Sequence, residues 1–377
     1  RYYTLEFFER VAVILKPRGI VALRIPSEGS YLGPERASLI AAIKVACEQA
    51  VGNVTILPGD YVHIIASPDL DLEDRVDALI ETYNSRRITT AFVTPPSIAA
   101  RLLPLAKAQV DTTVESFRAI GASVDDHPIS FTHSIGIWAK HFRSGRAILA
   151  LIRWVSFGRS IWILIILGFG LPLVFLRHRA RRPQALIGAL AIFAMGFSSM
   201  LAQVLLLLCF QALSGYIYVK VALIIAGFML GMGAAAVLAG SYPEKLGSIR
   251  HLLVLQVLLL LLPLGIVAVF DLFRIYRTAM TLAEVIFGLL AFSTGSISGL
   301  IFSVACRHFE ARSEAEAGGL AYSLDLTGAS IGGFLGGFLI IPTLGFHTTA
   351  YVSAIFNGAV VAAMMVLTKV SGRAPVH

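Results

Sequence analysis

Long apolar runs after residue 160 constrain this chain more than any other feature of its sequence. A helix needs about 20 apolar residues to cross a bilayer, and these runs cover 160–176, 184–212, 216–240, 251–271, 279–305, 318–342 and 346–369. The chain is 56% hydrophobic and 14% charged, with a mean hydropathy of +0.78, unlike ordinary soluble domains. The sequence therefore predicts an all-α membrane domain of seven transmembrane helices over 160–377.

The charged residues near these runs indicate what the chain contacts. The net charge of +8 comes mainly from Arg and Lys beside the apolar runs, where membrane-flanking cations lie. Membrane lipid is therefore the expected partner, and nucleic acid is not. The segment 146–159 is amphipathic, short and interrupted by Arg153, so we expect it to lie along the membrane interface.

Residues 1–145 carry most of the acids and alternate between helix and strand patterns, which predicts a soluble α/β domain. An amphipathic helix LEFFERVAVIL comes first, and GIVALRIP is expected to be a parallel strand buried on both faces. The remaining expected elements are a helix over 34–51, a hairpin of NVTILP and YVHIIAS turning at Gly59-Asp60, a helix over 70–84 and an extended run ITTAFVT.

This order of elements is how a doubly wound methyltransferase-like sheet ends, without its beginning. No GxGxxG motif follows a strand, and GMGAAA at Gly231 lies inside an apolar run. The sequence thus predicts the C-terminal half of such a sheet. We expect another chain or a missing N-terminal half to cover residues 1–30, including the apolar face formed by Leu5, Phe8, Ala12 and Leu15.

Metal ligation is not expected from the cysteines or histidines. Cys47, Cys209 and Cys306 each stand alone in apolar helical surroundings, with no CxxC spacing. His127 and His133 are six residues apart beside two aspartates, a spacing that fits no closed zinc site. We expect a polar turn there instead.

Several stretches together resemble the spermidine synthase (polyamine aminopropyltransferase) family. RYYTLEFFERVAVILKPRGIVALRIPSEGSYL is similar to the second half of that domain, and ILPGDYVHIIAS and TYNSRRITTAFVTPP continue the likeness. DDHPISFTHSIGIW and the helices after it look like the membrane-fused spermidine synthase-like proteins of bacteria. The resemblance covers nearly the whole chain and implies a location in the bacterial inner membrane.

The resemblance implies transfer of an aminopropyl group from decarboxylated S-adenosylmethionine to a polyamine. The family's cofactor loop and catalytic Asp belong to the half that would precede Arg1, so no cofactor is expected in this chain by itself, and whether it is an enzyme stays open. Leu23 and Arg24 replace the family's strand-end Gln. A polyamine pocket needs carboxylates and aromatic walls, and the expected remnants are Glu28, Tyr31, Asp60 and Tyr61. Water-facing loop residues are the other interpretation.

Polar side chains inside the apolar runs are functional candidates by default. Those in this chain are Asp325, Gln203, Lys220, Glu284 and Arg307. Lys220 and Glu284 lie at the same expected depth and should pair. Asp325, roughly 10 Å deep at about 1.5 Å per residue, is expected to contact Arg307 or nearby hydroxyls, either as a helix-packing anchor or in a cation pathway.

Glycines recur at helical spacing in two of the apolar runs. Gly328, Gly332 and Gly336 form one ridge, and Gly227 and Gly231 form a second that is expected to match it. Such ridges allow helices to approach to backbone contact.

Three functions stay open from the sequence. The first is a membrane-embedded spermidine synthase-like protein. The second is a non-catalytic membrane-anchoring subunit of a larger complex, and the third is one half of a polyamine or cation transporter. The cations in the loops do not decide which side of the membrane the soluble domain faces.

Overall fold

The fold is described from a computed structural model of the chain. The described residues are 3–27, 32–69, 75–125, 183–214, 218–242, 247–275, 280–308 and 314–371, together with isolated positions between 129 and 170. The chain divides into two compact units, Arg1–Arg153 and Trp154–His377. We describe each unit by itself.

The first unit is an α/β unit built around a three-stranded sheet. Its helices are α1 (Leu5–Ile14), α2 (Pro34–Ala50), α3 (Val76–Ser85), α4 (Pro95–Arg101) and α5 (Pro104–Ser116), and its strands are β1 (Val21–Pro26), β2 (Asn53–Leu57) and β3 (Tyr61–Ser67). A short 3₁₀ turn, Arg118–Ile120, follows α5.

The strand order is β1-β3-β2, and β3 is antiparallel to both of its neighbours. The expected hairpin of β2 and β3 is present. β1 and β2 consequently run in the same direction on either side of β3, with α2 connecting them. The edge of β1 that faces away from β3 has no strand beside it in the described part of the chain.

Two expectations for β1 were wrong. Its pairing with β3 is antiparallel, and it is not buried on both faces, because Ala22, Arg24 and Pro26 alternate with the inward-facing residues and remain exposed. The run ITTAFVT, expected to be extended, lies outside the three strands. The helix expected from residue 70 begins at Val76 among the described residues.

The core of this unit lies on one face of the sheet. Ile25, Ile56, Val62, Ile64 and Ala66 point to that face and pack against α2 and against Val110 and Val114 of α5, in a cluster that also contains Phe8. Burial of such side chains stabilises each by about 1.5–3 kcal/mol relative to exposure.

Helix α1 finds cover for its apolar face within its own unit. Phe8 is fully buried, and Leu5, Ala12 and Leu15 pack against the same core. The end of α1 differs, because Val13 and Ile14 are 85% and 78% exposed. Most of the apolar face of α1 is therefore covered within its own unit, and large exposed apolar side chains remain only in its last turn.

The second unit is a bundle of long apolar helices. They are α6 (Pro183–Ser214), α7 (Tyr218–Ser241), α8 (Ile249–Ile275), α9 (Met280–Cys306), α10 (Glu314–Phe334) and α11 (Ile341–Ser371), with a π-helical turn Leu335–Ile340 between the last two. Among the described residues, five helices are long and apolar enough to cross a membrane, the last being Glu316–Lys369. The first expected span, 160–176, lies outside the described residues apart from isolated positions.

The last of these helices, of 54 residues, folds back on itself. At about 1.5 Å per residue it would be roughly 80 Å long if straight, more than twice the thickness of a bilayer core. Gly345 interrupts it with φ 78°, a conformation that glycine adopts readily. Because Gly332 and Phe356 both contact Phe197 of α6, the chain must reverse at Gly345.

Glycines hold two separate pairs of helices at backbone contact. A methyl group built on Gly328 or Gly332 would overlap the backbone of α6, and one built on Gly231 would overlap the carbonyl oxygen of Phe292 in α9. The expected match between the two glycine ridges is therefore wrong. Each ridge packs against a different helix, α10 against α6 and α7 against α9.

Candidate functional site

The face of the sheet that points away from the core, here called the outer face, carries the expected polyamine-pocket residues that the structure describes. Asp60 is exposed in the turn before β3, and its carbonyl oxygen accepts a hydrogen bond of 2.8 Å from Ser27 N–H. The Arg24 guanidinium lies 5.3 Å from the centre of the Tyr61 ring. A substrate ammonium group would therefore have to displace Arg24 from this ring. Glu28 and Tyr31 lie outside the described residues.

His63 lies beside Arg24 on the same face, because the two are directly opposed in the β1–β3 register. Arg101 of α4 approaches His63, with Nη1 3.4 Å from Nε2. Arginine can only donate, so Nε2 accepts and the imidazole is neutral. Burial, followed by the charges of Arg101 and Arg24, lowers the pKa of His63 from its usual range.

A groove of about 870 Å³ separates β2 from α5. Its two lining lysines form ion pairs with its two lining acids. Lys44 Nζ lies 3.2 Å from Glu115 Oε2, and Lys107 Nζ lies 2.8 Å from Asp111 Oδ2. The pKa of Glu115 is lowered from its usual range, chiefly by the hydrogen bond that its carboxylate accepts from Lys44. These carboxylates are already matched with cations, so the groove is a poor receptor for a polyamine.

In the bundle, Lys220 and Glu284 form the expected ion pair. Lys220 Nζ donates to Glu284 Oε1, joining the beginnings of α7 and α9. Both side chains are about one third exposed, at 30% and 31%. The pair therefore connects two neighbouring helices at one end of the bundle.

Asp325 packs directly against α6. A methyl group on Gly196 would overlap the Asp325 carbonyl and lie against its carboxylate. The expected partner Arg307 instead donates to the Ala239 carbonyl of α7 at 2.9 Å. Hydroxyl partners were also expected, but Ser323 and Thr327 donate to carbonyls of their own helix. Within the part of the chain that the structure describes, Asp325 forms neither of its expected interactions.

A buried polar cluster joins three helices near the middle of the bundle. Asn357 of α11 donates to Ser198 Oγ of α6 at 2.8 Å and accepts from Gln256 Nε2 of α8 at 2.9 Å. All three side chains are fully buried. The Gln256 Oε1 atom and the Ser353 hydroxyl beside Asn357 have no hydrogen-bond partner in the described part of the chain.

Gln203, the amide singled out from the sequence, is also buried in α6. Neither its oxygen nor its nitrogen is hydrogen bonded to a described residue. Phe210, seven residues further along α6, packs against Phe287 of α9 with ring centres 5.6 Å apart. Gln203 is thus on a part of α6 where the neighbouring helix is α9.

Sequence reasoning missed Asn357, Gln256, Asp271 and His347. Asp271 Oδ2 at the end of α8 lies 2.7 Å from His347 Nε2 of α11. The signal was a polar or ionisable residue within each apolar run, but nothing in the sequence indicates which runs are neighbours.

Comparison of the chain with known protein families, curated proteins and solved structures gives no match.

Proposed function

We propose that this chain is the C-terminal portion of a membrane-embedded spermidine synthase-like protein of the bacterial inner membrane. The observation that carries the proposal is the strand order of the soluble unit. An antiparallel strand, β3, lies between two strands of like direction that α2 connects. The order of elements that we expect at the end of a doubly wound methyltransferase-like sheet is the same: helix, strand, helix and antiparallel pair.

The open edge of β1 also supports this proposal. Its outer backbone groups have no partner strand in the described residues, and unpaired strand edges are sites for pairing with another chain segment. Ile20, just before β1, and Val13 and Ile14 are exposed nearby in the sequence. A preceding portion of the sheet would pair with β1 and cover these side chains.

The proposed reaction is a nucleophilic displacement. A polyamine nitrogen attacks the aminopropyl carbon that is bonded to the sulfonium of decarboxylated S-adenosylmethionine. A C–N bond forms, and the bond between that carbon and sulfur breaks. The sulfur leaves with the electron pair as methylthioadenosine, and the ammonium proton passes to a base. The base and the nucleoside-binding loop are contributed by the preceding portion, and this chain contributes the closing strands and the membrane anchor.

The test is a product assay with the chain in lipid nanodiscs, alone and co-purified with the polypeptide encoded immediately upstream. Spermidine and methylthioadenosine formed from putrescine and decarboxylated S-adenosylmethionine are measured by mass spectrometry. We expect product only when both polypeptides are present, with a lower rate for Asp60→Asn. The matched control is Asp77→Asn, an exposed acid on α3. A stable complex that forms no product would refute the enzyme and favour the non-catalytic subunit.

Cation transport is a second candidate function, favoured by the position of Asp325. This carboxylate lies within a candidate membrane-spanning helix, and among the described residues it pairs with neither of its expected partners. The test is uptake of labelled spermidine into proteoliposomes. Transport predicts that Asp325→Asn abolishes uptake while Asp77→Asn does not, and absence of uptake by the unaltered chain would exclude this function.

A further inference from the structure

Three basic side chains converge on the outer face of the sheet in the first unit. Arg24 and His63 are register partners on adjacent strands, so their side chains leave the same face. Arg101 reaches this face from α4 and contacts His63 at 3.4 Å. Three separate elements, β1, β3 and α4, therefore direct basic groups to one place.

An aromatic side chain holds each arginine without neutralising it. The Tyr61 ring lies 5.3 Å from the Arg24 guanidinium carbon, at cation–π distance. The neutral His63 ring accepts from Arg101 through Nε2. Because these contacts use a ring face or a single N–H, most of the five N–H donors of each guanidinium remain available to a ligand.

No carboxylate balances the two guanidinium charges among the residues that the structure describes. Among the described residues, neither Arg24 nor Arg101 forms an ion pair, and Asp60, which lies shortly before His63 in β3, pairs with neither. Three acids elsewhere in the unit are matched with cations, namely Glu48, Glu115 and Asp111, as in the pairing of Glu48 with Arg118 at 2.8 Å. Both guanidinium charges act on His63, and like charges near one another repel when no counter-charge is present.

We propose that Arg24 and Arg101, held by Tyr61 and His63, bind an oxyanion of a small-molecule ligand, a carboxylate or a phosphoryl group. Guanidinium forks match the geometry of both groups and bind them with charge-assisted hydrogen bonds. The same charges repel a polyamine. The site shares Tyr61 with the expected polyamine-pocket remnants, but its test measures anion binding and not aminopropyl transfer, so the two proposals can fail separately.

The test is isothermal titration calorimetry on the full chain in detergent, at constant ionic strength set with chloride. Pyrophosphate and succinate are the two probes, and the tighter of them identifies the ligand as phosphoryl or carboxylate. Arg24→Gln and Arg101→Gln are each expected to weaken binding about tenfold or more, as for loss of a charge-assisted hydrogen bond. Arg86→Gln, at an exposed position just after α3, removes the same charge as a matched control and is expected to leave affinity unchanged.

Two results would overturn the proposal. One is the absence of saturable binding for both probes. The other is equal weakening in Arg86→Gln, which would indicate attraction to the general positive charge. Circular dichroism and gel filtration establish that each variant is folded, and if Arg24→Gln does not fold, Arg101→Gln alone decides the outcome.

Discussion

Replacing Gly231 with alanine tests the close approach of α7 and α9. The added methyl group would overlap the carbonyl oxygen of Phe292 and lie 2.9 Å from its carbonyl carbon. A helical backbone carbonyl cannot rotate away, so the two helices must separate. Overpacking of this kind costs about 1–3 kcal/mol, and we expect the upper part of that range because backbone rather than a flexible side chain is displaced.

Gly233 provides the control within the same helix. A methyl group there would meet nothing within 4 Å, so Gly233→Ala changes helix propensity without changing packing. Alanine gains about 1 kcal/mol over glycine in a helix, and this gain is common to both variants. The difference between the two variants is therefore the packing cost alone, and we expect Gly231→Ala to be less stable than Gly233→Ala by about 1–3 kcal/mol.

The assay is reversible unfolding in mixed micelles, followed by circular dichroism as the fraction of denaturing detergent rises. The free energy of unfolding of each variant is compared with that of the unaltered chain. Equal stability of Gly231→Ala and Gly233→Ala would refute the contact between α7 and α9 at Gly231.

Two further predictions concern polar contacts. Asn357→Leu leaves Gln256 Nε2 and Ser198 Oγ without a partner, so unfolding in the same assay should become easier by about 1–3 kcal/mol, and no change would contradict the cluster. The pKa of His63 should lie below its usual range and rise in Arg101→Gln, measured by NMR titration. Because that pKa is lowered on folding, the stability it contributes is complete above the pKa of the unfolded chain and is lost as pH falls below it.

Local signals in the sequence predicted local structure. Gly59-Asp60 indicated the hairpin of β2 and β3, and the four-residue spacing of Gly328 and Gly332 indicated a helix-packing surface. The partner of that surface could not be predicted, because small residues specify how closely helices approach and not which helix approaches. Packing against α6 follows from the arrangement of the whole bundle.

The outer face of the sheet shows a signal that was present and misinterpreted. Val21, Leu23 and Ile25 alternate with Arg24 and Pro26, which is the pattern of a strand with one buried face. The apolar length of the run concealed this alternation. Contact between Arg101 and His63 could not be predicted. It depends on the position of α4, and the residues that precede α4 have no regular secondary structure that would indicate this position.

The proposed function requires a preceding portion of the sheet that pairs with the open edge of β1. Amide hydrogen exchange along Val21–Pro26 tests it directly, measured by mass spectrometry in the chain alone and in complex with the polypeptide encoded immediately upstream. We expect the outward-facing amides to exchange rapidly in the chain alone and to become protected in the complex. Protection of all β1 amides in the chain alone, or no added protection in the complex, would contradict it.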